Sequence, residues 1–443
     1  MVSGQTERFA AQAWLVARIY AGYKRIQLGR KIGLGRDDGT LARQHRRSAE
    51  ATYDMATRLE GLPIKVCQFL GSRADILPDE YVEVLSRLQD KVPARTAVSM
   101  RAVIESELRA PIGDVFAEFN DVPIASASLA QVHRARLHDG RDVAVKVQYP
   151  EIAGLVSTDI RNFAVLVAIL ARLEPNFDFR VLVDEVTKLV PLELDFLNEA
   201  SNAERMAELL KHRADVFVPP VVREFSTGRV LVSEFAPGVR LTDVPALVKM
   251  GVDPKDLARR VSEIFTEMIL THGFFHGDPH PGNILVQPGP RVVLLDFGLA
   301  KDLPPSFREA VVKLTMSIMG GDTHEVASAF RALGFRTKNE SDESLAMLGE
   351  AFLGFALKNG MAYANAAMMD KFNEELPKAM RANPLVEVPG DILLVGRVMG
   401  LLSGIGKQLG SEVDPATLLL PFLATASVSE RFSRRSALSS RSE

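Results

Sequence analysis

The sequence predicts an α+β fold in two lobes with additional helices at both ends, and three observations predict it. Apolar residues recur at helical spacing over residues 8–60. Two stretches alternate apolar and polar positions around turn residues, at 132–147 and 284–295, the pattern of β-hairpins. Helical patterning then returns over residues 305–425.

The elements follow in order. Trp14, Leu15, Ile19, Tyr20 and Ile26 stand among basic residues in the first helical stretch. Pro63 suits the first turn of a helix carrying Lys65, Gln68 and Phe69, and Pro78 opens another through Tyr81, Val84, Leu85 and Leu88. Val92-Pro93 ends that helix. In the first hairpin, Val132–Leu137 and Val143–Val147 flank Asp139-Gly140. Helices are expected at 151–173, 180–211 and 254–272, with a strand from Val230 to Phe235 ended by Pro237-Gly238. The second hairpin joins Ile284–Val286 to Val292–Leu295 through Pro288-Gly289-Pro290. The Ser- and Arg-rich stretch 427–443 is expected to be disordered. This divides the chain into helices at 1–95, a β-rich lobe at 96–236, a mostly helical lobe at 237–426 and a tail at 427–443.

Composition narrows the function. The 443 residues are 47% hydrophobic and 25% charged, which excludes a disordered or fibrous chain. A net charge of -3 excludes a chain-wide nucleic-acid footprint, and the single cysteine, Cys67, excludes a disulfide scaffold. Residues 1–47 hold ten basic and three acidic residues, so they carry +7 and the remainder -10. Such asymmetry points to an anionic partner, and a peripheral membrane contact through 1–47 is weighed against a solvated helix packed on the lobes. The apolar runs 163–171 and 392–405 are bounded or broken by Arg161, Arg172 and Arg397, so no transmembrane helix is expected. The expected location is cytoplasmic.

The chemistry concentrates in His276-Gly277-Asp278-Pro279-His280-Pro281-Gly282-Asn283, followed by Asp296-Phe297-Gly298. Asp278 and Asn283 have the D-x-x-x-x-N spacing of a kinase catalytic loop, and Asp296 follows an apolar strand as a DFG aspartate does. Two oxygen ligands such as Asn283 and Asp296 suit Mg²⁺. Upstream, Val143-Ala144-Val145-Lys146 matches the V-A-I-K strand, in which a lysine needs a partner to offset its burial. Glu199, in an acidic stretch with Glu193 and Asp195, is a candidate. Each feature alone has an ordinary structural explanation, such as a turn aspartate or an edge-strand lysine; their joint occurrence in the right chain order does not. His272, His276 and His280 recur at four-residue steps, but Gly273, Gly277 and Pro279 argue against the helix that would make a metal site of that spacing. Gly33-Leu34-Gly35 follows a helical stretch and reads as a connector.

These residues resemble the UbiB/AarF family of atypical kinases over roughly residues 45–305. Ala125-Ser126-Ala127-Ser128-Leu129-Ala130-Gln131-Val132-His133 is similar to the family's alanine-rich loop, Lys65-Val66-Cys67-Gln68 to its K-x-G-Q signature, Glu193-Leu194-Asp195 to its E-x-D signature, and H-G-D-P-H-P-G-N to its catalytic loop. The resemblance implies a protein-kinase-like fold with an N-terminal helical extension over the active site, ATP or ADP as ligand and Mg²⁺ as cofactor. It further implies that Lys146 contacts the α- and β-phosphates, that Glu199 orients it, that Asp278 is the catalytic aspartate and that Asn283 and Asp296 bind the metal. Lys65, Gln68, Ala125, Ser126, Ala127, Ser128, Glu193 and Asp195 would border the nucleotide, with Glu234 to Ala236 at the adenine. A lipid or quinone-precursor ligand is implied as well. Cys67 and Ala130 stand where the family has glycine. The function implied is an atypical kinase or ATPase supporting isoprenoid-quinone or lipid metabolism; the alternatives are a nucleotide-binding scaffold with little turnover and a protein kinase.

Overall fold

The computed structural model describes residues 4–32, 38–71, 77–89, 95–174, 187, 194–320, 322–337, 345, 385–387 and 389–411. The chain forms two compact units, Met1–Glu204 with Pro219–Ala236, and Arg205–Val218 with Pro237–Glu443.

The first unit begins with helices α1 (Gln5–Lys31), α2 (Asp38–Leu59), α3 (Leu62–Gly71) and α4 (Asp79–Leu85). Glu60 and Gly61 both have positive φ, 54° and 67°, which ends α2 and turns the chain into α3. Pro63 lies in the first turn of α3, where its missing N–H removes no helical bond. Ala56, Ile64, Cys67, Leu85 and Leu88 form the core of this bundle. Two further helices, α5 (Ala97–Leu108) and α6 (Ile112–Val115), lead into the sheet.

That sheet is antiparallel. It contains β1 (Phe116–Phe119), β2 (Ala125–Ser126), β3 (Ala130–Leu137) and β4 (Asp142–Gln148). After α7 (Ile152–Leu173) and α8 (Phe196–Leu209), the chain contributes β5 (Val216–Phe217) to the second unit and returns with β6 (Val230–Glu234). The order is β1-β3-β4-β6, with β2 also on β3. The β3–β4 hairpin turns where expected. Gly140 has φ 91°, and Asp139 Oδ1 accepts from the Arg141 N–H at 3.0 Å. Strand alternation then sorts the faces. Val143, Val145 and Val147 join Val230, Val232, Met100 and Ile104 in the main core. On the opposite face, Ala130 and Leu231 pack with Phe196 and Ala200 of α8.

The α7 helix spans the stretch expected to be helical, 151–173. Its apolar stretch runs further than the expected 163–171, because Gly154–Leu173 is long and apolar enough, by length and composition, to cross a membrane. One side packs inward through Ile152, Val156, Leu166 and Val167, while Val165, Ile169 and Leu173 are exposed. Mid-helix, Asp159 is buried and receives Arg8 and Gln12 of α1.

In the second unit, β10 (Arg291–Leu294) pairs in parallel with β5 and antiparallel with β9 (Ile284–Gln287), which pairs with β7 (Val239–Arg240). Asp243 caps α9 (Val244–Lys249), and Asp253 caps α10 (Pro254–Glu267). Leu257, Val261, Ile264 and Phe265 form the buried face of α10. A π-helical turn (Met268–His272) follows, then β8 (Phe274–His276), antiparallel to β11 (Ala300–Asp302). Helices α11 (Pro305–Gly320), α12 (Thr323–Ala332) and α13 (Gly390–Gln408) come after. The expectation that 305–425 is helical needs one correction. Arg336–Thr337 and Leu385–Glu387 form a two-stranded antiparallel sheet, β12–β13, whose strands are too short to show a period in the sequence. The stretch 427–443 lies outside the described residues.

Candidate functional site

Lys146 projects from β4 on the face opposite the valines. Its Nζ donates to both carboxylate oxygens of Glu199, each at 2.8 Å. The pair is largely enclosed, with side-chain exposures of 18% and 5%, and Nζ lies 5.1 Å from the Phe196 ring centroid. Glu199 reaches this position because α8 starts one turn before it. Asp195 Oδ1 accepts from the N–H groups of Leu197 and Asn198 at 3.0 and 3.4 Å, anchoring the helix start. An apolar face covered by Phe196 and Ala200 thus delivers one carboxylate onto one strand lysine.

Beside this pair, β2 and β3 form a short hairpin whose tip is Ala127 to Leu129. The Ala127 N–H donates to the Ala130 carbonyl at 2.8 Å, and the Tyr149 hydroxyl donates to the Ala127 carbonyl at 3.0 Å. Ser128 is buried, and Ala125 and Ser126 pair with Val132 and Gln131. Ala130 takes its place in the ladder opposite Gln148 and has no positive φ. Alanine in place of glycine therefore carries no backbone strain here.

On α3, Lys65 and Gln68 share the half-buried face, and Gln68 Nε2 donates to the Leu88 carbonyl at 3.0 Å. Cys67 faces the core, where burial pushes its thiol up to about 12. At the end of β6, the Glu234 N–H donates to Pro220 O and the Phe235 N–H to Asp142 O, both at 2.9 Å. Glu234 is exposed and Ala236 buried, and the chain passes to the other unit after Ala236. Glu193 lies outside the described residues.

In the second unit, the loop after β8 is built around a buried imidazole. His276 Nε2 donates to the Leu295 carbonyl at 2.9 Å, and its Nδ1 accepts the Asp278 N–H at 3.1 Å. Its ring meets Phe265 and Phe297 at centroid distances of 6.1 and 5.2 Å. Gly277 is required by crowding. A Cβ there would lie 2.4 Å from the Leu299 carbonyl oxygen. Asn283 Nδ2 donates to the Asp278 carbonyl at 3.2 Å and to Asp278 Oδ2 at 3.4 Å, which leaves its amide oxygen turned to other ligands. The Leu295 N–H donates to the Asn283 carbonyl at 2.9 Å, so Asp296 follows directly beside Asn283. Asp296 has φ 62°, a left-handed conformation that redirects the chain at this carboxylate. Hard oxygen donors on neighbouring backbone positions fit Mg²⁺.

Sequence reasoning missed one participant. Arg397 of α13 donates from Nη2 to Asp278 Oδ1 at 2.9 Å, and its Nε is buried without a hydrogen-bond partner. The signal was present as a lone arginine in an apolar helix, a charge that needs a buried partner. Lys146 with Glu199 and Asp278 with Asn283 are thus each brought into contact, within their own units.

Comparison with known proteins identifies the family. Residues 87–330 match the model of the ABC1 atypical kinase-like domain. The chain is 40% identical over 295 residues to AarF domain-containing protein kinase 1 of Gallus gallus, covering 66% of this chain and 57% of that protein. It is 36% identical over 390 residues to the Mus musculus protein of the same name, covering 85% and 73%. Among solved structures, Rv3197 of Mycobacterium tuberculosis, determined as a complex with erythromycin, superposes with a TM-score of 0.61 at 25% identity, covering 86% of this chain and 97% of that one.

Proposed function

Since the chain belongs to the ABC1/AarF family of atypical kinases, we propose that it binds ATP and catalyses Mg²⁺-dependent transfer of the γ-phosphoryl group to a small molecule, a lipid or water. The bidentate Lys146–Glu199 pair carries this reading, because it fixes a cation on a strand in the manner phosphate binding requires. Lys146 holds the α- and β-phosphates and Glu199 keeps its Nζ in place. The stretch Ala125 to Ser128, strand β2 and the start of the hairpin tip, covers the phosphates, and backbone groups between Glu234 and Ala236 meet the adenine. Lys65, Gln68, Glu193 and Asp195 border the nucleotide.

Asp278 orients the attacking hydroxyl or water and accepts its proton. Asn283 and Asp296 would hold Mg²⁺, which would supply positive charge against the charge that develops as the phosphoryl group transfers. Phosphate release by the wild type, absent in Asp296→Asn, is the expected result. Equal turnover in both would refute the assignment.

One observation favours a second reading, a nucleotide-binding scaffold of low turnover: Arg397 already engages Asp278. Nucleotide-induced thermal stabilisation without phosphate release would select it.

A role in isoprenoid-quinone or lipid metabolism, at a membrane surface, is supported by the basic N-terminal helices. Arg18, Arg43, Arg46 and Arg47 line a cleft of about 430 Å³ with Glu50 and Asp54, and Trp14 is exposed beside Arg18. Co-sedimentation with anionic liposomes, compared between the full chain and a chain lacking residues 1–40, tests this.

A further inference from the structure

A second cluster of ligating groups lies in the Arg205–Val218 and Pro237–Glu443 unit and takes no part in the chemistry proposed above. His212 Nε2 lies 2.7 Å from Glu267 Oε1, and His272 Nε2 lies 3.2 Å from the same oxygen. The three ligand atoms all fall within 4.8 Å of one another. We propose that His212, Glu267 and His272 form a binding site for a divalent transition metal of the zinc class.

The local fold builds this arrangement. Glu267 ends α10 and His272 ends the π-helical turn. Residues five apart in an α-helix point about 140° apart around the axis. The wider π turn, closed by i→i+5 bonds, returns His272 to the side of Glu267. His212, just beyond α8, supplies the third group, and its ring centroid is 5.9 Å from that of His272.

Charge is arranged to match. Glu267 Oε2 accepts from Arg213 Nη1 at 2.9 Å, which leaves Oε1 facing the two imidazoles. Arg213 is itself held bidentately by Asp215, at 3.0 and 2.8 Å, so its guanidinium is already neutralised and Glu267 retains a charge for a cation. Two nitrogens and one carboxylate oxygen suit zinc and its neighbours over Mg²⁺ or Ca²⁺. Tetrahedral coordination at bond lengths of about 2.0–2.1 Å places ligand atoms about 3.3 Å apart. The observed separations approach this, and His212, with a side chain 55% exposed, can adjust. Three protein ligands leave a fourth position for water, the composition of an open site.

The test uses the full chain stripped with chelator and titrated separately with Zn²⁺ and Mg²⁺ by isothermal calorimetry. One equivalent of Zn²⁺ should bind, and the His212→Gln/His272→Gln double variant should weaken that binding at least a hundredfold. His212→Gln alone, at an exposed position, serves if the double variant does not fold, and should weaken binding at least tenfold. Replacing Zn²⁺ with Co²⁺ should give an absorption band that is lost in the same variants. The Asp296→Asn variant should bind Zn²⁺ as the wild type does, which separates this site from the proposed catalytic metal. No Zn²⁺ binding by the wild type, or undiminished binding by the histidine variants, would reduce the cluster to His–Glu ion pairs and overturn the proposal.

Discussion

Replacing Asp159 with alanine should release α1 from α7. Arg8 and Asp159 have side-chain exposures of 0% and 1%. Arg8 Nε donates to Asp159 Oδ1 at 2.9 Å, a second guanidinium bond reaches Oδ2, and Nη1 donates to the Leu59 carbonyl at 2.5 Å. Gln12 Nε2 adds a bond to Oδ1 at 3.0 Å. Removing one partner of such a pair leaves a buried charge without compensation, at a cost of about 3–5 kcal/mol. At about 1.4 kcal/mol per factor of ten, the docking equilibrium of α1 shifts by about two to four powers of ten. Trp14, the sole tryptophan, lies on α1, so its fluorescence anisotropy in a urea titration reports helix release directly. Asp159→Ala should bring that transition to markedly lower urea, and Arg8→Met/Asp159→Leu should recover most of the loss, because the apolar pair has no charge to desolvate. An Asp159→Ala transition within about 1 kcal/mol of wild type would refute the reasoning, since that is what an exposed pair contributes.

Three further outcomes are expected. Arg397→Ala frees Asp278 from a largely enclosed ion pair, with side-chain exposures of 12% and 23%, and should raise basal phosphate release about fivefold, equivalent to about 1 kcal/mol of barrier; a fall would instead make Arg397 a positioning residue. Cys67, with its thiol pushed up to about 12 by burial, should resist a thiol reagent at pH 8 in the native protein and react once urea unfolds it. His133 is buried between Gln131 and the Asn120 carbonyl, and burial holds its imidazole below the ordinary 6.5, opposed by the Asn120 carbonyl and Asp121 and reinforced by Arg101. A depressed histidine keeps its stability contribution above pH 6.5 and loses it as pH falls toward its lower folded value. Urea midpoints between pH 7 and 5 should therefore fall for wild type and fall less steeply for His133→Gln; parallel slopes would count against it.

What the sequence could show was local and periodic. The β3–β4 and β9–β10 hairpins were legible because alternation and turn residues act over a few positions, and so was a lysine out of place in an apolar strand. The helix caps Asp243 and Asp253 are equally local, since each oxygen meets N–H groups two or three residues on. The paired strands β5, β8, β11, β12 and β13 were not legible. They have only two or three residues each and owe their pairing to segments distant in the chain. The helix at 151–173 was legible too, but its apolar run was taken to stop at Arg161, an exposed residue that the apolar stretch Gly154–Leu173 passes over.

The same division runs through the candidate site. Asp278, Asn283, Asp296 and Lys146 were named from short motifs, because chemistry that uses short loops leaves them, and Glu199 was named as a candidate from its acidic stretch. Tertiary structure joins Glu199, already the candidate partner, to Lys146 across 53 residues, and it alone decided that Arg397 meets Asp278 across 119. It also decided that His272 joins His212 and Glu267, while His276 serves the loop backbone. Local sequence fixes φ, ψ and the side each residue presents. Which charges meet depends on the packing of apolar faces, and that is a property of the whole unit.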